Sequence, residues 1–240
     1  MALRVAFLGF IGTAIEWYDY YLFIYAALLA FPALFFPSSN YSVSTLAAVS
    51  SYAVAFFARP LGASVFGHLG DRLGKRHALS FDLILVGIAM ILVGIMPPYS
   101  AIGIVAPIAI FALRFVQSLG VGGEWGGVAT WVSEHTTSKR ALITSLIQMA
   151  SPVGFIGAAT VLLAFSRDFA TFGWRVGFIV GGVVAFLGAV LRYLATESVP
   201  FEAIKARGEI SRAPSIEVFR HAWKPIVLLM LAIGSVFMAV

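Results

Sequence analysis

Five charged residues lie inside long apolar stretches of the sequence, namely Glu16, Asp19, Arg59, Arg114 and Glu124. A charge in the centre of a bilayer costs several kcal/mol unless it is paired or hydrated. Three acids and two arginines leave one carboxylate without a cation, and burial favours its protonated form. Proton coupling requires a carboxylate of that kind. The alternative is a purely structural network of salt bridges that joins helices.

The positions of these charges suggest partners without fixing them. Glu16 and Asp19 are three residues apart and therefore share one face of a helix. Glu16 and Arg114 fall roughly 17 and 18 Å from the ends of their apolar stretches by the helical rise, near mid-bilayer. That depth slightly favours Glu16 over Asp19 as the partner of Arg114. Arg59 and Glu124 lie nearer the end that carries the basic loops, and we expect both to line a substrate cavity.

Two uncharged polar residues, Gln117 and Gln148, are also expected to line the cavity, although a helix–helix hydrogen bond is equally compatible with either. The sequence has no phosphate-binding loop, no nucleophile elbow and no zinc-protease motif. Its histidines, near predicted loops, lack the spacing of metal ligands: His68, His77, His135 and His221. We therefore expect no enzyme, no bound metal and no cofactor.

The elements that must position these residues are membrane-spanning helices. Hydrophobic residues make up 60% of the 240 and charged residues only 11%, against about 25% charged in soluble domains. A spanning helix needs about 20 apolar residues. Six stretches qualify: Val5–Phe36, Leu46–Phe66, Leu79–Met96, Ile102–Val132, Ala141–Phe165 and Trp174–Ala195. We predict an all-α membrane protein with a six-helix domain at 1–196 and lipid as its surroundings.

The remainder of the sequence divides into two segments. Residues 197–224 are the one long polar stretch and are predicted to form a cytoplasmic linker. A seventh apolar stretch begins at Pro225 and reaches Val240, too short to cross a hydrocarbon core of about 30 Å. We therefore expect a truncated seventh helix.

The orientation follows from the distribution of Lys and Arg. Alternate connections between the stretches hold 11 of these residues, whereas the opposite connections hold only Arg167 and Arg175. Cytoplasmic loops carry such an excess, so the N-terminus is predicted to be cytoplasmic in a multi-pass protein of the cell membrane. The net charge of +5 comes from these short clusters, and no nucleic-acid partner is expected.

A short string occurs in the first helix of each predicted triplet. Gly12-x-x-x-Glu16-Trp17 is matched by Gly120-x-x-x-Glu124-Trp125. The match favours two inverted three-helix repeats, which are typical of transporters. Coincidence in a glycine-rich sequence explains it equally well.

A glycine-rich basic motif extends from Gly67 to Leu79, between the second and third stretches. Glycine permits a tight turn there, and Asp71 can face a helix N-terminus. The string resembles the cytoplasmic signature of the major facilitator superfamily, and the resemblance implies a gating motif. Its residues would be Gly67, Asp71, Arg72, Gly74, Lys75 and Arg76.

Four further strings narrow this resemblance. They run from Gly12 to Asp19, from Phe57 to Gly62, from Arg114 to Gly127 and from Phe172 to Arg175. Together they resemble the metabolite:H⁺ symporter family, which includes carriers of α-ketoglutarate, citrate, shikimate and proline/betaine. The resemblance covers the N-terminal six-helix half of a twelve-helix fold, so the C-terminal half is missing. It implies that Asp19 and Arg114 serve proton coupling.

The expected function is proton-coupled uptake of a small metabolite, either a carboxylate or a betaine-like compound. Two arginines near the predicted cavity favour an organic anion. The expected partners are lipid, H⁺, the metabolite and a second six-helix half. The alternative is a membrane module that does not transport, such as a truncated carrier, an assembly partner or a sensor.

Overall fold

The computed structural model describes residues 2–136, 138–208, 218, 220 and 222–229. The described chain is helical, as expected from its composition. Its α-helices are α1 (Ala2–Leu29), α2 (Phe31–Phe35), α3 (Tyr41–Leu73), α4 (Lys75–Ile95), α5 (Tyr99–Ile102), α6 (Val105–Glu134), α7 (Arg140–Ser145), α8 (Ala150–Ala164), α9 (Trp174–Tyr193) and α10 (Val199–Ala206). A 3-10 turn, Leu146–Met149, joins α7 to α8, and a π turn, Phe169–Gly173, precedes α9.

The bundle is built for a lipid environment. By length and composition, five segments of the described chain can cross a membrane: Tyr41–Leu73, Lys75–Ile95, Val105–Glu134, Arg140–Ala164 and Phe169–Tyr193. The sixth long helix, α1, has 28 residues and rises about 42 Å at 1.5 Å per residue. Large apolar side chains such as Leu46 and Phe57 are exposed, whereas Asp19 and Glu124 are buried. This distribution suits a protein whose solvent is hydrocarbon.

The six long helices pack in a pattern that is symmetric between two triplets. The first triplet is α1, α3 and α4, and the second is α6, α8 and α9. The second helix of each triplet packs on the first helix of the other, α3 on α6 and α8 on α1. The third helices of the two triplets, α4 and α9, pack on each other. Exchanging α1 with α6, α3 with α8 and α4 with α9 preserves these pairs. The fold is therefore the predicted six-helix bundle of two three-helix repeats.

Two close helix crossings use equivalent glycines. Gly62 follows Pro60 in α3, and a Cβ there would overlap the backbone carbonyl of Leu119 in α6. Gly154 follows Pro152 in α8, and a Cβ there would lie 2.8 Å from the carbonyl oxygen of Ala14 in α1. Small residues at such crossings let membrane helices approach closely. The Pro-x-Gly string is thus a second repeated feature of the two triplets.

The motif at 67–79, which the sequence places between two apolar stretches, is mostly helical. The α3 helix continues to Leu73 and α4 begins at Lys75, so Gly74 is the only residue between them. Its φ of 100° is accessible to glycine and strained for other residues. Because the two helices meet at one residue, most of the motif lies on helix ends and not in a flexible loop.

Glu197, not Asp71, occupies the N-terminus of α4. Its carboxylate accepts a hydrogen bond of 3.1 Å from the backbone N–H of Arg76, where a negative charge also opposes the positive end of the helix dipole. Asp71 is exposed. Helix α10 follows within the predicted linker at 197–224, and residues 222–229 are helical. Residues 230–240 of the predicted seventh helix lie outside the described residues.

Candidate functional site

A triad of buried polar side chains connects α1 to α6. Arg114 Nη1 donates hydrogen bonds to Asp19 Oδ2 at 2.8 Å and to Gln117 Oε1 at 3.0 Å. Gln117 Nε2 donates to Asp19 Oδ1 at 2.6 Å and closes the triangle. Both Asp19 oxygens therefore have donors. The spacing of Arg114 and Gln117 places them one helical turn apart, on the face that meets α1.

Aromatic rings enclose the cation of this triad. The Arg114 guanidinium carbon lies 4.2 Å from the ring centre of Phe23 and 5.2 Å from that of Tyr52. Such rings attract a desolvated cation through their electron-rich faces. Arg114 has only 2% of its surface exposed. Its charge is thus balanced by Asp19 inside the bundle and supported by the rings around it.

The structure pairs Arg114 with Asp19, whereas the depth estimate slightly favoured Glu16. The difference arises from side-chain direction, because Asp19 faces α6 at the level of Arg114. For Gln117, the structure contains the helix–helix hydrogen bond that the sequence left open. Gln148 is exposed on the 3-10 turn Leu146–Met149, and its cavity role stays a prediction.

Glu16 and Arg59 share a separate pocket next to the triad. This pocket has a volume of about 310 Å³ and lies between α1, α3 and α6. Glu16 Oε1 and Arg59 Nε are buried without hydrogen-bond partners among the described residues. Aromatic side chains, Trp17, Tyr20 and Trp125, complete much of the wall. The pocket therefore presents one acid, one guanidinium and several rings to whatever enters it.

Sequence reasoning missed Arg192 of α9, whose fully buried guanidinium contacts three other helices, α1, α4 and α6. It forms a two-pronged ion pair with Glu124. Its other N–H groups donate to the backbone carbonyls of Leu8, Gly9 and Leu79. All five donors of the guanidinium are thereby used. Glu124, expected on the cavity wall, instead lies in this interior network.

The second residue that sequence reasoning missed is Asp82 of α4, which is 1% exposed. Asp82 Oδ1 lies 3.7 Å from Arg192 Nη1, and neither Asp82 oxygen has a hydrogen-bond partner within the described chain. The available signal was simple: Asp82 and Arg192 both fall inside predicted apolar stretches. Including them raises the count to four acids and three arginines, so the surplus of one acid remains.

The basic motif connects the helix ends on one side of the bundle. Lys75 Nζ forms an ion pair of 2.9 Å with Glu134 Oε1 at the end of α6. Arg76 Nη1 donates to the carbonyl of Ala195 at 2.9 Å. Arg72 and Gly67 are exposed, and a Cβ at Gly67 would meet open space. Half of the motif thus packs inside the bundle, where Lys75 and Arg76 bind other helix ends and Gly74 is buried. The other half is exposed, namely Gly67, Asp71 and Arg72.

A six-helix bundle built from two three-helix repeats is the architecture of one half of the major facilitator fold. The chain matches the model of the family described as "Sugar (and other) transporter" over residues 5–220. It belongs to that family. The expected superfamily is thereby confirmed, and so is the expectation that the chain is not an enzyme.

Relatives and solved structures agree with this assignment. The chain is 40% identical to an inner membrane metabolite transport protein of Escherichia coli K12, over 86% of this chain and 49% of that protein. It is 39% identical to the shikimate transporter of the same strain, over 84% and 47%. A proton:xylose symporter bound to 6-bromo-6-deoxy-D-glucose superposes with a TM-score of 0.73 at 18% identity, covering 90% of this chain and 49% of that one. The chain thus spans about half the length of the curated relatives it matches.

Proposed function

We propose that this chain forms the N-terminal half of a proton-coupled carrier that moves a small organic anion across the cytoplasmic membrane by alternating access. The observation that carries the proposal is the triad of Asp19, Arg114 and Gln117. The family establishes a transporter fold, and the buried triad offers a group that can bind and release a proton. A second six-helix half, facing this one, would complete the transport cavity.

The triad suggests how proton and substrate are linked. While Asp19 is ionised, its charge cancels that of Arg114 and the pair is neutral overall. A proton on Asp19 removes that cancellation and leaves a net positive charge at Arg114. An uncompensated buried cation is costly, so an anionic substrate that approaches the site lowers the energy. Proton and anion then cross together with no net charge.

The pocket of Glu16 and Arg59 is the proposed substrate wall. Arg59 stacks over Tyr20 and Phe56, with its guanidinium carbon 5.7 and 5.5 Å from the two ring centres. A fixed, half-buried guanidinium is suited to bidentate binding of a carboxylate. Glu16 in the same pocket also supports a betaine-like substrate, because an acid and aromatic rings attract a quaternary ammonium group.

The test is uptake in cells that express the full coding sequence containing this chain. Labelled shikimate, citrate, α-ketoglutarate and betaine are supplied with an inward proton gradient, with and without a protonophore. The proposal expects accumulation of at least one compound that collapses with the protonophore. Arg59→Gln should raise the KM for an anion more than that for betaine. If none of the compounds accumulates and none binds, the alternative of a non-transporting membrane module is favoured.

The orientation remains part of this proposal. The N-terminus and the basic motif are placed in the cytoplasm because of the excess of Lys and Arg in those connections. This assignment puts the ion pair of Lys75 with Glu134 on the cytoplasmic side. It makes the outward-facing members of the motif, Asp71 and Arg72, available to the other half of the carrier.

A further inference from the structure

The network around Arg192 contains one cation and two neighbouring carboxylates. Glu124 takes the two-pronged ion pair and also accepts a hydrogen bond of 3.2 Å from Thr13 Oγ1. Every donor of Arg192 is used by Glu124 or by a backbone carbonyl. Asp82 therefore receives no hydrogen bond from the guanidinium, although the closest approach is 3.7 Å. That separation exceeds the usual donor–acceptor distance of about 2.7–3.2 Å.

The energetic consequence concerns the charge state of Asp82. An ionised carboxylate buried without donors is strongly unfavourable, and proteins commonly neutralise such a group. Arg192 and Glu124 already balance each other. A negative charge on Asp82 would thus be both unsolvated and in excess. A neutral carboxylic acid at this position leaves the network electrically balanced.

Asp82 also lies on the wall of a cavity that reaches the motif end of the bundle. This cavity has a volume of about 430 Å³ and lies between α3, α4 and α6. Asp71, Lys75 and Glu134 line it together with several glycines. A cavity of this size with charged side chains on its wall has room for water molecules. Water there would come close to Asp82 and reach the charged residues at the helix ends.

We infer that Asp82 is a second proton-binding site, separate from Asp19, that holds a proton beside the Arg192–Glu124 ion pair and exchanges it with the motif end of the bundle through the cavity. The site is distinct because Asp19 is paired with Arg114 on another helix interface. Three charged groups interact with Asp82, namely Glu16 of α1, Glu124 of α6 and Arg192 of α9. Asp71 of α3, Glu134 of α6 and Lys75 of α4 line the same cavity.

The test is infrared spectroscopy of the purified 240-residue chain in lipid bilayers at neutral pH. A protonated carboxylic acid absorbs at a frequency separate from that of an ionised carboxylate. The difference between wild type and Asp82→Asn should show the loss of one protonated band. Asp82→Glu should shift this band and keep it. Asp71→Asn, at the exposed mouth, should leave it unchanged, and Glu16→Gln identifies any band that belongs to Glu16.

The route is tested by the rate at which the Asp82 band shifts after transfer to D₂O. Gly126→Leu should slow the shift severalfold, because Gly126 lines the cavity and a Cβ there meets open space. Ala112→Leu, at an exposed position of the same helix, should leave the rate of the shift unchanged. Loss of an ionised band in Asp82→Asn would overturn the proton assignment. An amide closely resembles a neutral carboxylic acid, so Asp82→Asn should fold. If Asp82→Asn unfolds while Asp82→Glu folds, the proton assignment is also overturned. Unaltered exchange in Gly126→Leu would overturn the route.

Discussion

The Arg114 guanidinium donates a 2.8 Å hydrogen bond to Asp19 across the interface of α1 and α6, with both side chains about 2% exposed. This contact holds together the first helices of the two triplets. Because the two helices belong to different repeats, the contact links the two triplets of the bundle. In the proposed function, protonation of Asp19 acts at this link.

The first prediction concerns Asp19→Asn in the carrier expressed from the full coding sequence. An amide cannot release a proton, so accumulation driven by a proton gradient should be lost. Exchange of substrate across the membrane should partly remain, since exchange needs no net proton release. Both quantities are measured in the same vesicles, the first with an imposed pH gradient and the second by counterflow of labelled substrate.

Glu16→Gln separates the two carboxylates of α1. Glu16 has no ion-pair contact among the described residues comparable with that of Asp19, and proton-driven accumulation should persist in this variant. If Glu16→Gln eliminates accumulation while Asp19→Asn retains it, the proton is carried by Glu16 and not by Asp19. If neither variant uncouples transport, the buried charges are a structural network.

The second prediction concerns stability. Arg114→Ala leaves Asp19 buried without its cation, and breaking such a pair typically costs about 3–5 kcal/mol. Combining Arg114→Ala with Asp19→Asn removes the stranded charge as well, so the double variant should unfold at a higher temperature than Arg114→Ala. Thermal unfolding of the purified chains in detergent measures the difference. Equal unfolding temperatures for the two variants would show that the charges do not interact.

The sequence predicted the helices and singled out Asp19, Arg114 and Gln117, although it slightly favoured Glu16 as the partner of Arg114, and it did not predict the network around Arg192. The thickness of the bilayer sets the length of apolar sequence that a spanning helix needs, so the six helices could be predicted from the apolar stretches. Asp19 and Arg114 were recognised because they stand in the middle of such stretches. Arg192 lies near the end of α9, where a long side chain can equally well extend to the membrane surface. Its burial depends on carbonyls from α1 and α4, which no local pattern reveals.

The ends of α3 and α4 show a similar limit. Glycine and charge predicted a turn near Gly74, and the turn is there. A loop was expected around it because polar residues usually lie outside the apolar core. Instead the helices extend beyond the apolar stretches, and Glu197 caps α4 from a position 122 residues after Lys75 in the sequence. Only the packed structure identifies a partner at that distance.

The third prediction uses a pair of glycines that differ in their surroundings. In Gly62→Ala, the new methyl group would overlap the Leu119 carbonyl, and overpacking of this kind costs about 1–3 kcal/mol. The unfolding temperature should fall and α3 should separate slightly from α6. Gly126→Ala is the matched control, because its Cβ meets open space and alanine favours a helix over glycine by about 0.5–1 kcal/mol. A Gly62→Ala chain as stable as Gly126→Ala would contradict the close crossing.

The fourth prediction concerns orientation, which the bundle itself leaves to be measured. Ser39 precedes α3 and Ser138 follows α6, and both residues are exposed. They lie at opposite ends of the bundle, because Glu134 at the end of α6 pairs with Lys75, just beyond the far end of α3. The chain has no cysteine, so Ser39→Cys and Ser138→Cys each introduce a single thiol. An impermeant reagent added outside intact cells should label Ser39→Cys only, and both variants should be labelled once the cells are permeabilised. Labelling of Ser138→Cys in intact cells would reverse the orientation inferred from Lys and Arg, and with it the side from which Asp82 would exchange its proton.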